Sequence, residues 1–427
     1  MLGGGLTGLA TGWELAKQGV AATVLEAGLQ PGGACRTLSR DGFSFDFTGH
    51  LLHLAQAESR VRLTSLGLDS AFRVHRRRAA VAVAGTFTPY PIQIHTHRLP
   101  PLIRRDCLLG AIEAHAAGEA TARAATNFAD WVLARFGAGL ARAFFFPYNR
   151  KLFGTEPADL TTEWVGRYVP RPDIREVVDG ALGLHRALVG YNATFLYPRS
   201  GGIRILADAL AARCPSLQLG ARVTGISLAT HEVELADTRV LPWDRLVATA
   251  ALSEIVSLIR DLPPHLAESA TRLRAAAVVN YNFGVRGPAP RRDHWIYVPE
   301  PEFPFYRVGI PSNHGHLAPP GCHTLSVEVS VPAGALTAEG LLADCMGGLE
   351  RLGLLHDRGA IATVAEARID PAYVIFDRAR TALVAALREH LAASGVRLAG
   401  RWAQWKYSAM EDALHDGAAA AAWAAAP

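Results

Sequence analysis

Gly3, Gly5 and Gly8 stand in the order Gly-x-Gly-x-x-Gly, a spacing that lets a backbone close on phosphate. Without Cβ atoms the chain can approach a pyrophosphate, and the amides of a following helix N-terminus point at its charge. The next residues supply the remaining parts. Leu9 to Gln18 is an apolar helical stretch closed by Gly19, and the β-rich run Ala22-Thr23-Val24-Leu25 ends in Glu26. A carboxylate at a strand end accepts the hydroxyls of an adenosine ribose. The spacing therefore predicts a dinucleotide cofactor held by Gly3, Gly5, Leu6, Thr7, Gly8, Glu26 and Ala27. Such a fold needs a strand ahead of Gly3, where only Met1 and Leu2 stand. The expectation is a sheet short of its central strand, or a chain whose start lies further upstream.

These groups need elements to hold them, and composition bounds what those are. At 427 residues, half of them hydrophobic, the chain calls for two or three lobes. No apolar run reaches the roughly 18 residues of a membrane helix. The formal charge of +4 comes almost wholly from scattered Arg, with Lys only at Lys17, Lys151 and Lys406. The dense basic run is His75-Arg76-Arg77-Arg78, with isolated pairs such as Arg291-Arg292 and no interleaved aromatics, which argues against nucleic-acid binding. Cys35, Cys107, Cys214, Cys322 and Cys345 share no Cys-x-x-Cys spacing. They read as free thiols of a cytoplasmic protein, with no metal site. Leu108–Ala125 and Phe128–Phe146 repeat apolar positions at helical spacing. Val278–Phe283, His294–Val298, Tyr306–Ile310 and His323–Val331 are short β-rich runs broken by Pro and Gly, as in an antiparallel sheet.

Several further segments resemble flavoproteins of the amine-oxidase and protoporphyrinogen-oxidase group. Pro31-Gly32-Gly33-Ala34-Cys35-Arg36-Thr37 is similar to that group's second glycine motif. Ala221-Arg222-Val223 and Leu246–Ala250 resemble its returning half, and Gly400-Arg401-Trp402 with Met410-Glu411-Asp412-Ala413 its C-terminal flavin-closing motif. The resemblance implies FAD, with contacts at Gly32, Gly33, Arg36, Val223, Gly400 and Met410. It implies an α/β fold in which a Rossmann-like FAD-binding domain carries an inserted helical domain and an antiparallel sheet domain. The FAD domain is expected to be discontinuous, over 1–60, 186–265 and 366–427, with the helical domain at 61–185 and the sheet domain at 266–365.

More specific are Phe45–His50, Pro89–Gln93, Phe144 with Pro147-Tyr148-Asn149, Trp164-Val165-Gly166, Gly190–Phe195 with Tyr197–Gly202, Pro304–Arg307 and Trp405-Lys406-Tyr407. In that order they resemble UDP-galactopyranose mutases, particularly of the eukaryotic type. The resemblance implies a nucleotide-sugar pyranose–furanose mutase acting on a nucleotide-diphosphate sugar, most simply a UDP-hexose. In it the N5 of reduced FAD attacks the anomeric carbon, with loss and return of the nucleoside diphosphate, and NAD(P)H or another reductant primes the flavin. By residue match, Arg307 grips the diphosphate, Tyr297, Tyr373 and Tyr407 donate hydroxyls to it, and Asn192 steadies that pocket. Tyr90, Gln93, Phe144 and Asn149 bracket uracil and ribose. His50 keeps the reduced N5 reactive, and Arg77 lies near the flavin edge.

Two departures stand out. The family's second diphosphate arginine falls on Tyr168, with Arg167 and Arg171 flanking it as substitutes, and Ile92 replaces a residue that is usually aromatic. The alternative is an FAD-dependent oxidoreductase, an oxidase or desaturase acting on an amine or a hydrophobic ring, which would need a largely apolar cavity. A degenerate flavoprotein is the third reading.

Overall fold

The computed structural model describes residues 1–184 and 192–426. Gly190 and Tyr191, quoted above, lie outside the described residues. A parallel layer sits under the glycine turn. Strand 24–26 pairs with 217–219, and 246–248 pairs with 396–398, both parallel. Between the two pairs lies Leu2, which bridges Leu25 on one side and Ala248 on the other. Its N–H donates to the Val247 carbonyl at 2.9 Å, and the Gly3 N–H to that of Leu25 at 2.8 Å. The expected gap is thus filled by a central strand reduced to a stub.

Helix Leu6–Lys17 follows directly, its apolar side buried. The last helix, Met410–Ala425, packs across it through Gly417, where a Cβ would come within 2.6 Å of the Ala10 Cβ. The Ala-rich tail is therefore ordered helix as far as Ala425.

The largest sheet has seven strands, in the order 361–374, 275–286, 322–332, 307–309, 295–297, 79–83 and 86–89. It takes in residues on both sides of the 266–365 segment, including two strands from the stretch expected to be helical. Its two long central strands run antiparallel, pairing Asn282 with Ser326 and Asn280 with Glu328. Strand side chains alternate faces. Val279, Tyr281, Phe283 and Val285 join Leu325, Val327 and Val329 in a core completed by Phe303, Phe305, Cys345 and Leu349. The opposite face carries Asn280, Asn282, Ser326 and Glu328, all buried and polar. That face looks into the functional cavity.

The helical part comprises 101–117, 119–123, 128–140, 146–153 and 174–182, with a break at Gly118. Helices 101–117 and 128–140 touch at Gly110, Gly137 and Gly139; a Cβ on Gly139 would lie 2.2 Å from the Asp106 carbonyl oxygen. Pro147 lacks the N–H that a continuous helix would use, and the chain reaches it through a π-turn, Ala141–Phe145. No helix among the described residues is long and apolar enough to cross a membrane. All five cysteines are unpaired.

Candidate functional site: a cofactor channel opening into a tyrosine-walled cavity

Two cavities of about 360 Å³ each share Gly5, Ala34, Thr249, Ile369 and Trp402 in their walls, so they adjoin. The first lies off the C-terminal ends of the parallel strands, where doubly wound sheets bind their ligands. Gly3, Glu26, Ala27, Gly33, Arg36 and Val223 line it. Glu26 is aimed by two backbone amides: Gly4 N–H donates to Oε2 and Gly28 N–H to Oε1, each at 2.7 Å. Each oxygen keeps a further lone pair for a ligand hydroxyl.

Gly5 caps the first helix without any side-chain hydrogen bond, which leaves the first-turn amides facing the channel beside Leu6 and Thr7. Gly32 and Gly33 turn through positive φ, and a Cβ on Gly32 would lie 2.8 Å from the Cys35 carbonyl oxygen. Arg36 Nε donates to the Gly33 carbonyl at 2.6 Å and fixes the turn. An uncapped helix end, a glycine turn without obstructing side chains and a strand-end carboxylate fit FAD. Two expected contacts have another role. Gly8 and Gly400 do not line the channel; they permit close approach. A Cβ on Gly8 would meet the Gly3 carbonyl oxygen at 1.9 Å, and one on Gly400 would meet Thr7 Oγ1 at 2.6 Å. Met410, at the start of the last helix, lines the second cavity.

That second cavity is walled by tyrosines from distant segments. Tyr90 and Tyr297 have ring centroids 4.7 Å apart, Tyr148 lies 5.5 Å from Tyr297, and Tyr373 stacks with Tyr407 at 6.0 Å. Phe144, rotated inward by the π-turn, stacks on Tyr148 at 5.2 Å. Burial raises the hydroxyl pKa of Tyr90, Tyr148, Tyr297 and Tyr407, so these groups remain proton donors at neutral pH. Gln93 gives Nε2 to the Pro170 carbonyl at 3.0 Å, while its Oε1 is buried without a partner among the described residues. Asn149 Nδ2 donates to the Phe145 carbonyl at 2.7 Å, and Asn192 accepts from Arg77.

Arg307 reaches the cavity from a short strand and is gripped by Glu328, a cavity residue absent from the sequence expectations. Its Nε donates to Oε1 at 3.0 Å and its Nη2 to Oε2 at 2.7 Å. Glu328, 1% exposed, also accepts from Tyr306 Oη at 2.5 Å and from Gly49 N–H at 3.2 Å. One carboxylate thus ties the arginine to the loop bearing His50. Thr48 turns that loop at φ 68°. Burial lowers the His50 pKa to about 4, with Glu328 opposing and Arg307 and Arg401 adding. The imidazole is neutral at pH 7.

Arg167 departs from expectation. It does not line the cavity: its Nη2 donates to Asp412 Oδ2 at 2.6 Å, and Tyr168 takes the wall position. Arg171 is exposed and also absent from the lining. The second cavity cation is Arg401, quoted above only as part of a flavin-closing motif. Its three guanidinium nitrogens donate to the carbonyls of Ala372 and Ser408, and it stacks over Tyr407 at 4.8 Å and Tyr373 at 5.3 Å. No carboxylate pairs with it among the described residues. Sequence reasoning could have found it, because Arg401 precedes Tyr407 by only six residues, on the short helix Gly400–Ala403 that leads into the Tyr407 loop.

The sequence matches the family of flavin containing amine oxidoreductases over residues 6–424, and the chain belongs to that family. Within this fold the chain is similar to a crystal structure of reduced UDP-galactopyranose mutase, with a TM-score of 0.90 and 26% identity over 98% of this chain and 93% of that one. A putative protoporphyrinogen oxidase from Exiguobacterium sp. 255-15 superposes with a TM-score of 0.76 at 16% identity, covering 99% and 97% of the two chains. A fatty acid isomerase from P. acnes gives 0.68 at 14% identity, again covering 99% and 97%. These last two share the fold. The FAD-binding flavoenzyme class and its α/β architecture are established on this basis.

Proposed function

We propose that the protein is a flavin-dependent nucleotide-sugar mutase that interconverts pyranose and furanose forms of a UDP-hexose. The observation that carries this reading is a cavity, adjoining the cofactor cavity, walled by half-buried tyrosines with Arg307 and Arg401 among them. An oxidase for amines or hydrophobic rings has no use for two arginines in its wall. The likeness to a UDP-galactopyranose mutase at 26% identity supports the same reading.

When bound, reduced FAD supplies the nucleophilic electron pair for exchange at the sugar's anomeric carbon. The chain's own residues do the rest. Gln93 and Asn149, beside Phe144 and Tyr90, offer hydrogen bonds and stacking to a pyrimidine and ribose. Tyr297, Tyr373 and Tyr407 donate to phosphate oxygens, and Arg307 and Arg401 neutralise charge that grows as the sugar–phosphate bond breaks. Arg401 takes the part expected of Arg167. Neutral His50 stays beside the reacting face as a hydrogen-bond partner that adds no positive charge. Asn192, held by Arg77, keeps a polar group at the pocket edge. The stacked rings exclude water while the diphosphate is free.

The test is to incubate FAD-loaded protein, reduced with dithionite, with a panel of nucleotide sugars and separate the products by chromatography. Furanose product from a UDP-hexose is expected. Failure with the whole panel, together with oxidation of an amine, would replace the proposal by the oxidase reading.

A further inference from the structure

Lys151 lies on helix Phe146–Phe153, the helix that carries Tyr148 and Asn149 into the cavity. Its ammonium points away from that wall, into the loop between strands 295–297 and 307–309. There it donates to three backbone carbonyls, of Val298 at 2.8 Å, Glu300 at 2.6 Å and Phe305 at 2.8 Å. An ammonium has three donors, and all three are used. Among the described residues no carboxylate pairs with it. The Glu300 carboxylate instead accepts the Ala84 N–H at 2.6 Å. The clamped loop is also closed by Val298 N–H donating to the Tyr306 carbonyl at 2.9 Å. Tyr297 stands at one end of it and Arg307 at the other.

We propose that Lys151 is a positioning residue that locks the Tyr297–Arg307 hairpin to the Tyr148–Asn149 helix and so fixes the separation of the two cavity walls. This inference rests on the function proposed above, because the walls are those assigned to the nucleotide and to the diphosphate. A hydrophobic contact could hold helix and hairpin together without fixing register. Three converging carbonyls on one point charge fix it, because sliding the hairpin by one residue would turn the acceptors away. A planar guanidinium cannot meet three acceptors converging on one point, so Arg is a poor substitute.

The experiment compares wild type with Lys151→Met and Lys151→Arg, all FAD-loaded as judged by the flavin spectrum. Turnover of UDP-hexose and hydrogen exchange of the 298–306 amides are read in each. Expected are faster exchange in 298–306 and a fall in kcat of about ten- to a hundredfold, the scale of a misplacement near 1 Å. KM should change less than kcat, and Lys151→Arg should give the same pattern if the Met variant fails to load flavin. In an Arg307→Ala background the Lys151 substitution should cost clearly less than in wild type, since Arg307 is gone and only Tyr297 remains on the hairpin to be misplaced. Unchanged exchange in 298–306, or a kcat loss undiminished in the Arg307→Ala background, would overturn the proposal. Wild type that turns over no nucleotide sugar would sink the proposed function alone, and the exchange measurement would still decide whether Lys151 clamps the hairpin.

Discussion

The two halves of the channel are built in opposite ways. The cofactor half takes its phosphate and ribose groups from backbone and one strand end: glycine turns, first-turn amides and the Glu26 carboxylate, all within the first 36 residues, with 221–223, 249–251 and 368–371 closing the far side. The substrate half is side chain: tyrosines, arginines and a buried glutamate from segments as far apart as Tyr90 and Tyr407. A backbone cradle is fixed by local conformation and leaves no room for a Cβ at Gly3, Gly8 or Gly32. A side-chain wall depends on pairings made across the whole fold, so its residues can be exchanged or moved. Tyr168 and Arg401 illustrate this: Tyr168 lines the wall where a cation was expected, and Arg401 brings a cation to the same wall from a distant segment.

Breaking the side-chain wall should have the largest effect. Arg307→Ala is expected to lower turnover by about two to three powers of ten, as for one lost oxyanion donor. It also strands the buried Glu328 carboxylate, which destabilises the fold. Glu328→Gln in the same background should restore thermal stability without restoring turnover. Recovery of turnover by the double variant would mean that Arg307 acts only as a counter-ion.

On the cradle side, Glu26→Ala removes the acceptor of the Gly4 and Gly28 amides as well as the ribose acceptor proposed for it. FAD affinity should fall by roughly ten- to a hundredfold, equivalent to about 1.5–3 kcal/mol, read by equilibrium dialysis. The turnover of FAD-saturated protein should change little. A turnover loss at saturating FAD would blur the division between the two halves.

The smallest effect concerns pH. Folding holds His50 neutral down to about pH 4, below the usual imidazole value of 6.5. Between those values the unfolded chain binds more protons, so the imidazole costs the wild type stability as pH falls. His50→Gln carries no such group. Its stability relative to wild type should improve below about pH 6, by at most roughly 1.4 kcal/mol per pH unit, and be flat above. Urea denaturation at pH 4.5 and 7.5 measures the difference; equal shifts at both would contradict the half-buried, neutral imidazole.

The same contrast explains what could be read in the sequence. The glycine spacing, the helix and Glu26 are contiguous, and so was the cradle. Fold class followed from the order of the flavin segments. Leu2 was underestimated because one bridged residue is too short for any periodicity, although it makes sheet contacts on both sides. Glu328 was missed because it sits in a β-rich run, where it reads as an outward-facing charge. Only its pairing opposite Asn280 and beside Arg307 turns it inward. Arg167 was misjudged because sequence adjacency to Tyr168 says nothing of Asp412, which holds it from the last helix.

The central claim is that the flavin serves the substrate half without net electron transfer. Anaerobic protein reduced once by a known amount of NAD(P)H or dithionite, then given UDP-hexose, decides it by the number of furanose molecules formed per electron pair. The account predicts no product from oxidised protein and many turnovers from each reduced flavin, with the flavin still reduced at the end. One product per electron pair, or continuing consumption of NAD(P)H or oxygen in step with product, would contradict it.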